Sequence, residues 1–451
     1  MSGADQVDGA GVMRRAGWRI IPLLGLAYMI AFMDRSNISF AASTMNADLG
    51  FSATVYGIGG GVFFLSYALF EVPSNILLER VGARRWIARI MISWGIIAAA
   101  MMFVHTAWQF YVLRFLLGLA EAGFFPGVIF YLSLWFPRAE RGRAISRFYI
   151  SGPLTRVVMG VVSVWLLAAN GAGGLKGWQW LFLVEGLPAV LVGFLVLWLL
   201  PEEPARVTWL SPGEKDWLAG QLAADDALDG TGAGGTGAGG TAARDTAARD
   251  TGHDWRVLRA LRLPPVMLLG AVGFLTTCAY YTFTLSEPLI LGHLTGWSVK
   301  SVGYLVSVGG LAGAMGMLFT GWASDRAGSR MPFMAGSTAL VLLAYVLFAA
   351  GSGLATGLFA YACYVACWGS VTLSVWMLCT DLVAPRDMAV ATAMVNALSQ
   401  AGAFFGPIVW GVARDHTGSY HAGLWGLAVV QVLALVFVGA IARYRRNPVT
   451  V

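Results

Sequence analysis

The chain reads as an all-α polytopic membrane protein with twelve transmembrane helices in two six-helix halves, and three observations predict this. Of 451 residues, 57% are hydrophobic and only 12% are charged, against about 25% charged in a soluble domain. Apolar runs recur that reach the roughly 18 to 20 residues a membrane helix needs. A short charged loop motif also returns in the second half at one constant offset, which is the mark of a duplicated unit.

The first six predicted spans are residues 19–42, 56–79, 86–104, 108–135, 144–169 and 178–200. The second six are 265–291, 299–323, 331–351, 354–380, 388–412 and 420–442. Residues 1–18 precede the first half (19–200), and a short tail, 444–451, follows the second (264–443). Between the halves lies the one long polar stretch, 201–263, containing GTGAGGTGAGGTAARDTAARDT. This Gly/Ala/Thr tract has too little apolar surface to fold alone, so the whole stretch is expected to be a flexible cytoplasmic tether. Its glycines lack the strand-to-helix setting that a phosphate loop requires.

Orientation follows from the Lys and Arg residues, thirty in all. With both termini inside, the cytoplasmic segments hold Arg14, Arg15 and Arg19, the group from Arg80 to Arg89, that from Arg138 to Arg147, those of the tether, Arg326, Arg330 and Arg386, and the C-terminal arginines. Only Lys176, Lys300 and Arg414 fall outside. Such a bias predicts a multi-pass protein of the plasma (cell inner) membrane. It also accounts for the net charge of +6 without a nucleic-acid partner. Arg14 and Arg15 before an apolar run imitate a signal peptide, but that run is too long and carries Asp34 and Arg35, so it is a retained helix. The four cysteines, Cys278, Cys363, Cys367 and Cys379, fall in predicted spans without His or carboxylate company. They suggest small buried hydrophobes, and neither metal nor cofactor is expected.

The recurring loop is ERVGARR after the second span and DRAGSR after the eighth. Glu79 matches Asp325, Arg80 matches Arg326, Gly82 matches Gly328 and Arg84 matches Arg330. Glycine permits a tight turn, and the charges can latch neighbouring helix ends through charge-assisted hydrogen bonds that form and break between two states.

These features resemble the major facilitator superfamily: the [DE]-R-x-G-x-R loop in both halves, twelve spans, a long central loop, and PEEP (201–204) after the sixth span. Within that superfamily the chain resembles the anion:cation symporter family of organic-acid permeases. The residues that carry this are DRSNISFA (34–41), LGFSATVYG (49–57), FEVPSNILLERVGARRWIARIMISWG (70–95), RFLLGLAEAGFFPGV (114–128) and WQWLFLVEGLPA (178–189).

An ionised side chain near the bilayer centre costs about 2.5 to 3.5 kcal/mol, so it persists there when paired or facing a watery cavity. Asp34 and Arg35 are helix neighbours roughly 100° apart and cannot satisfy each other. Arg114, Gly118 and Glu121 share one face of the fourth span, with Gly118 leaving room for something to approach. The resemblance implies that the first, fourth, seventh and tenth spans line a central cavity, so that Arg35 and Arg114 face it with Asp34 and Glu121. All five histidines fall in predicted loops or the tether, so membrane carboxylates must carry any transported proton, and Asp34 and Glu121 fit that need. Glu71 and Glu185 read as packing partners. Tyr67, one turn before Glu71, is placed to donate its hydroxyl to a polyol or carboxylate, and Trp376 and Asn396 (with Gln400) occupy places where the family contacts substrate. Arg156, in the fifth span, departs from the family pattern. It would either bind a second carboxylate or pair with an acid such as Glu287.

The expected function is therefore proton-coupled import of a small organic anion by alternating access, with Arg35 gripping the carboxylate. The resemblance implies sugar acids, tartrate-like hydroxy-diacids or aromatic acids such as phthalate as candidate substrates. The partners are that anion, protons and the lipid bilayer, with no nucleic acid, and the protein is expected to be a monomer. Rival readings are Na+-coupled or exchange transport, a channel or a non-transporting sensor. A membrane enzyme lacks a metal cluster, an activated nucleophile and an extramembrane catalytic domain.

Overall fold

The computed structural model describes residues 7–231, 263–351, 353–383 and 388–446. Every predicted span is a helix, and most run past the predicted limits. The first half comprises Gly9–Leu49, Ala53–Val81, Ala83–Ala100, a fourth span made of Ala107–Glu121 and Phe124–Ser133, a fifth made of Arg138–Tyr149 and Ser151–Ala168, and Gly177–Leu199. The second half comprises Pro264–Thr295, Val299–Ala327, Met331–Ala350, Gly353–Leu382, Met388–Thr417 and Tyr420–Arg446. Eleven of these are long and apolar enough to cross a membrane. The eleventh in chain order, Met388–Thr417, completes the twelve and carries Asn396, Ser399 and Gln400 in its apolar stretch.

The helices outrun the apolar windows because backbone hydrogen bonding stops at caps and not where hydropathy falls. The first span starts where Asp8 accepts the Gly11 N–H (2.9 Å) and ends at Gly50 in the left-handed region (φ 65°). For the same reason His293 and His416 lie in terminal turns of their spans rather than in loops, while His421 lies in the first turn of the last span, within its predicted bounds and not in a loop.

The expected tether needs a correction over its first part. Residues 212–231 form a helix opened by a capping box: the Glu214 N–H donates to Ser211 Oγ (3.3 Å) and the Ser211 N–H to Glu214 Oε2 (2.9 Å). Arg15 of the first span pairs with Glu214. Trp209 stacks on Trp135 at 5.8 Å between centroids, and the Arg19 guanidinium lies over Trp209 at 4.7 Å. Two tryptophans and an ion pair thus dock this helix on the first half. The Gly-rich tract lies almost entirely outside the described residues.

The two halves meet closely at the end that carries the loop between the first two spans. A Cβ on Gly57 would fall onto the Pro407 carbonyl, and one on Gly160 onto Gly303 and Ser307, so backbones approach where only glycine fits. Asp415 accepts the N–H groups of Ala53 (2.9 Å) and Thr54 (2.8 Å), capping the second span from the opposite half. The Tyr56 hydroxyl donates to the Leu285 carbonyl at 2.7 Å. Substituting valine for both Gly57 and Gly160 overpacks this seal at a cost of about 1 to 3 kcal/mol, enough to favour its opening about tenfold. A cysteine at buried Ser286, in a background without the native cysteines, should then react about tenfold faster with an impermeant thiol reagent. An unchanged rate would show that the glycines do not hold this end shut.

Candidate functional site

Two of the buried charges named from sequence meet directly. Arg35 of the first span donates from Nε to Glu121 Oε1 at 2.6 Å. Its guanidinium also lies over the rings of Tyr67 (4.9 Å), Phe32 (5.7 Å) and Phe63 (5.8 Å), a cation–π setting that replaces part of its lost hydration. Tyr281 of the seventh span, in the other half, is near enough to feel that charge, and its ring packs on Phe64 at 4.1 Å. The pair therefore stands where the halves face each other.

Glu121 is the last residue before a break in the fourth span. Gly123 adopts φ 84°, and Pro126 has no N–H to return to the Ala122 carbonyl one turn earlier. The Ser74 hydroxyl of the second span donates to that orphaned carbonyl (2.6 Å) while accepting from Trp86 Nε1 (3.0 Å). Irregular backbone at membrane depth is tolerated when neighbouring groups satisfy it in this way. Glu121 Oε2 is buried with no hydrogen-bond partner among the described residues.

Asp34 does not share this interface, contrary to the cavity-facing position expected. Trp94 Nε1 of the third span donates to its Oδ2 (2.6 Å) and Asn37 Nδ2 to its Oδ1 (2.9 Å), so it points into the first half. The roughly 100° step that separates it from Arg35 turns it towards Trp94, a partner with no sequence signal of its own. Glu185 lies in the same half, taking a hydrogen bond from Ser163 at 3.1 Å with its other oxygen unpartnered.

Arg114 is fully buried, donates from Nε to the Gly59 carbonyl (3.1 Å) and lies over Phe63 at 4.8 Å. It has no carboxylate within 4 Å among the described residues. The space left by Gly118 is filled by the second span, whose Phe63 carbonyl and Ser66 hydroxyl a Cβ there would strike. Asn396 reaches across the halves to donate to Glu71 Oε2 (3.0 Å). Trp376 is not drawn into these contacts and packs instead with Val375 and Leu378 in an apolar cluster of the second half.

Arg156 forms a further polar tie between the halves. Its Nη2 donates to both oxygens of Glu287 (2.8 and 2.5 Å), and the Tyr361 hydroxyl donates to Glu287 Oε1 at 2.6 Å. Tyr361 was not singled out from sequence, since a lone tyrosine in an aromatic-rich span carries no distinguishing pattern.

The duplicated loops tie helix ends within each half. Arg84 approaches Glu202 after the sixth span (3.5 Å), and Arg330 donates to Asp381 at the end of the tenth (2.9 Å). Gly82 (φ 94°) and Gly328 (φ 63°) make the turns. Glu79, Arg80, Asp325 and Arg326 are exposed, the last with its guanidinium over Trp322 at 5.8 Å.

Removing one member of a buried ion pair costs about 3 to 5 kcal/mol. Arg156→Gln should therefore lower the unfolding temperature while leaving the affinity for transported acids unchanged. Unaltered stability with lost affinity would instead make Arg156 a substrate ligand.

Comparison with known proteins fits this architecture. The family model of the Major Facilitator Superfamily matches residues 24–407. The chain is 39% identical over 438 residues to a protein of Agrobacterium vitis described as a putative tartrate transporter, covering 96% of this chain and 92% of that one. It is 38% identical over 432 residues to the putative metabolite transport protein NicT of Pseudomonas putida, covering 94% and 93%. Among solved structures, a bacterial homologue of the human lysosomal transporter Spinster, in an inward-facing and occupied conformation, superposes with a TM-score of 0.71 at 15% identity, covering 94% of this chain and 96% of that one. The chain belongs to the Major Facilitator Superfamily, and it is a multi-pass membrane transporter rather than an enzyme.

Proposed function

We propose that the protein imports a small organic anion, a hydroxy-dicarboxylate of the tartrate kind, by proton symport through alternating access. Arg35 would bind the carboxylate and Glu121 would carry the coupled proton. The observation that carries this reading is the Arg35–Glu121 hydrogen bond of 2.6 Å, made within the first half where that half faces the second. A substrate carboxylate and Glu121 compete for one guanidinium. When a proton neutralises Glu121 its hold weakens, and the planar fork is free to take an anion in a bidentate contact. By linkage, the anion then favours protonation of Glu121 to the same extent, so the two ligands enter together. Glu121 Oε2, unpartnered, is the atom suited to receive the proton.

The other residues take supporting parts. Tyr67 and Asn396 would hydrogen-bond substrate hydroxyls, and Arg114 would add positive potential without touching the anion. Among the described residues Asp34 takes its hydrogen bonds from neutral donors, which suits it to a second proton. The similarity to the Agrobacterium vitis protein supports a hydroxy-diacid over an aromatic acid. With the termini in the cytoplasm of the inner membrane, the glycine-sealed end faces outwards and the described state faces inwards. The exposed acids Glu79 and Asp325 would engage the opposite half when the inner end closes.

Proteoliposomes test the scheme. Wild-type protein should accumulate tartrate when an inward proton gradient is imposed and bind it more tightly as pH falls, by at most about tenfold per pH unit for one coupled proton. Glu121→Gln should bind tartrate with little pH dependence and fail to accumulate it. Accumulation by that variant, or accumulation that follows a sodium gradient alone, would refute proton coupling at Glu121.

A further inference from the structure

At the end of the molecule that carries the termini, a groove of about 550 Å³ runs between the start of the first span and the helix Arg138–Tyr149. Its walls combine two chemistries. Met13, Ile21, Pro22 and Phe136 make an apolar floor, and Arg14, Arg143 and Arg147 stand along it. Glu140 is the one acid in the lining, and it pairs with Arg143 at 2.9 Å. Arg14 and Arg147 have no carboxylate within 4 Å among the described residues. One Arg147 guanidinium nitrogen would lie 3.7 Å from a Cβ on Gly17, which places that charge against the first span.

The groove opens towards lipid and away from the opposite half. The helix continues through Ile150 in right-handed geometry. Arg147, nine residues before Arg156, therefore projects roughly 180° from it round the axis. Arg156 points to Glu287 of the other half, so Arg147 points outwards. The surface beside it is apolar and uncovered: Trp18 is 77% exposed, Ile150 64% and Leu154 49%. An exposed tryptophan with arginines at the start of a span is the pattern of a membrane–water interface.

We propose that this groove binds one anionic phospholipid of the leaflet facing the termini, its phosphate held by Arg14, Arg143 and Arg147 and an acyl chain laid over Trp18 and Ile150. Excess positive charge selects an anionic headgroup, and an apolar floor continuous with the lipid-facing surface selects a lipid over a soluble anion. The site stands apart from Arg35 and Glu121 and does not depend on what is transported.

Full-length protein in nanodiscs of phosphatidylcholine with phosphatidylglycerol, extracted gently and weighed by native mass spectrometry, tests it. Wild-type protein should retain one phosphatidylglycerol in preference to phosphatidylcholine, and millimolar inorganic phosphate should not displace it. The combined variant Arg14→Gln, Arg143→Gln and Arg147→Gln should weaken retention about a hundredfold, and the corresponding triple lysine variant should largely restore it. The single variants Arg14→Gln and Arg147→Gln, each expected to weaken retention several-fold, give the same readout where the triple glutamine variant is not recovered folded. Equal retention of the two lipids by the wild type, undiminished retention by the glutamine variants, or displacement by inorganic phosphate would overturn the proposal.

Discussion

A guanidinium inside a membrane must have an acceptor in every state it occupies, because leaving it bare costs more than any single packing contact returns. Arg35 illustrates what that demands of its surroundings. Glu121 supplies the counter-charge, and three aromatic rings supply polarisable walls. Glu121 occupies the terminus of a helix broken by Gly123 and Pro126, so the break too must be stabilised, and the Ser74 hydroxyl does so by taking up the orphaned Ala122 carbonyl. A change at Ser74 would thus be felt at Arg35 without touching it, through an orphaned carbonyl rather than through the charge.

The ties between the halves divide by chemistry. At the sealed end, glycines let backbones meet and Asp415 caps a helix from across the interface, giving contacts that are short-ranged and lost together when the halves part. Deeper in, Arg156–Glu287 and Glu71–Asn396 cross the interface through side chains long enough to follow a small movement. Such a pairing of brittle and compliant contacts suits rigid halves that rock about a fixed centre. The loop arginines Arg84 and Arg330 bind acids of their own half, which keeps each half rigid while the interface changes.

Composition alone makes the twelve spans legible, since nothing but a membrane helix uses apolar runs of that length so often. Arg35 and Glu121 stand out for the cost of their charge, and the spacing of Arg114, Gly118 and Glu121 places them on one face. Direction is harder to read. A helical wheel gives the angle between Asp34 and Arg35 but not which neighbour fills it, and Trp94 lies a whole span away in sequence. Gly118 marks a close approach, yet a lone glycine does not say whether backbone or ligand approaches. Ser211 and Glu214 were a readable capping box before a helix, masked by the Gly-rich tract that follows. Likewise Pro126 four residues after Ala122 announces an unsatisfied carbonyl to anyone who counts hydrogen bonds instead of hydropathy.

Asp34 and Glu121 share a residue class and a half of the molecule, but their partners separate them. Glu121 is held by the Arg35 cation, so anything that drew that guanidinium away would change its electrostatic environment. Asp34 is held by an indole and an amide, neutral donors that no anion displaces. A carboxyl of the first kind responds to any change at its cation, whereas one of the second kind keeps its donors until the helices carrying them move. Under the proposed symport, coupling by competition therefore falls to Glu121. A proton on Asp34 would be coupled through the packing of the first and third spans and through the nearby charges of Glu121 and Arg114, without direct competition for its hydrogen-bond donors.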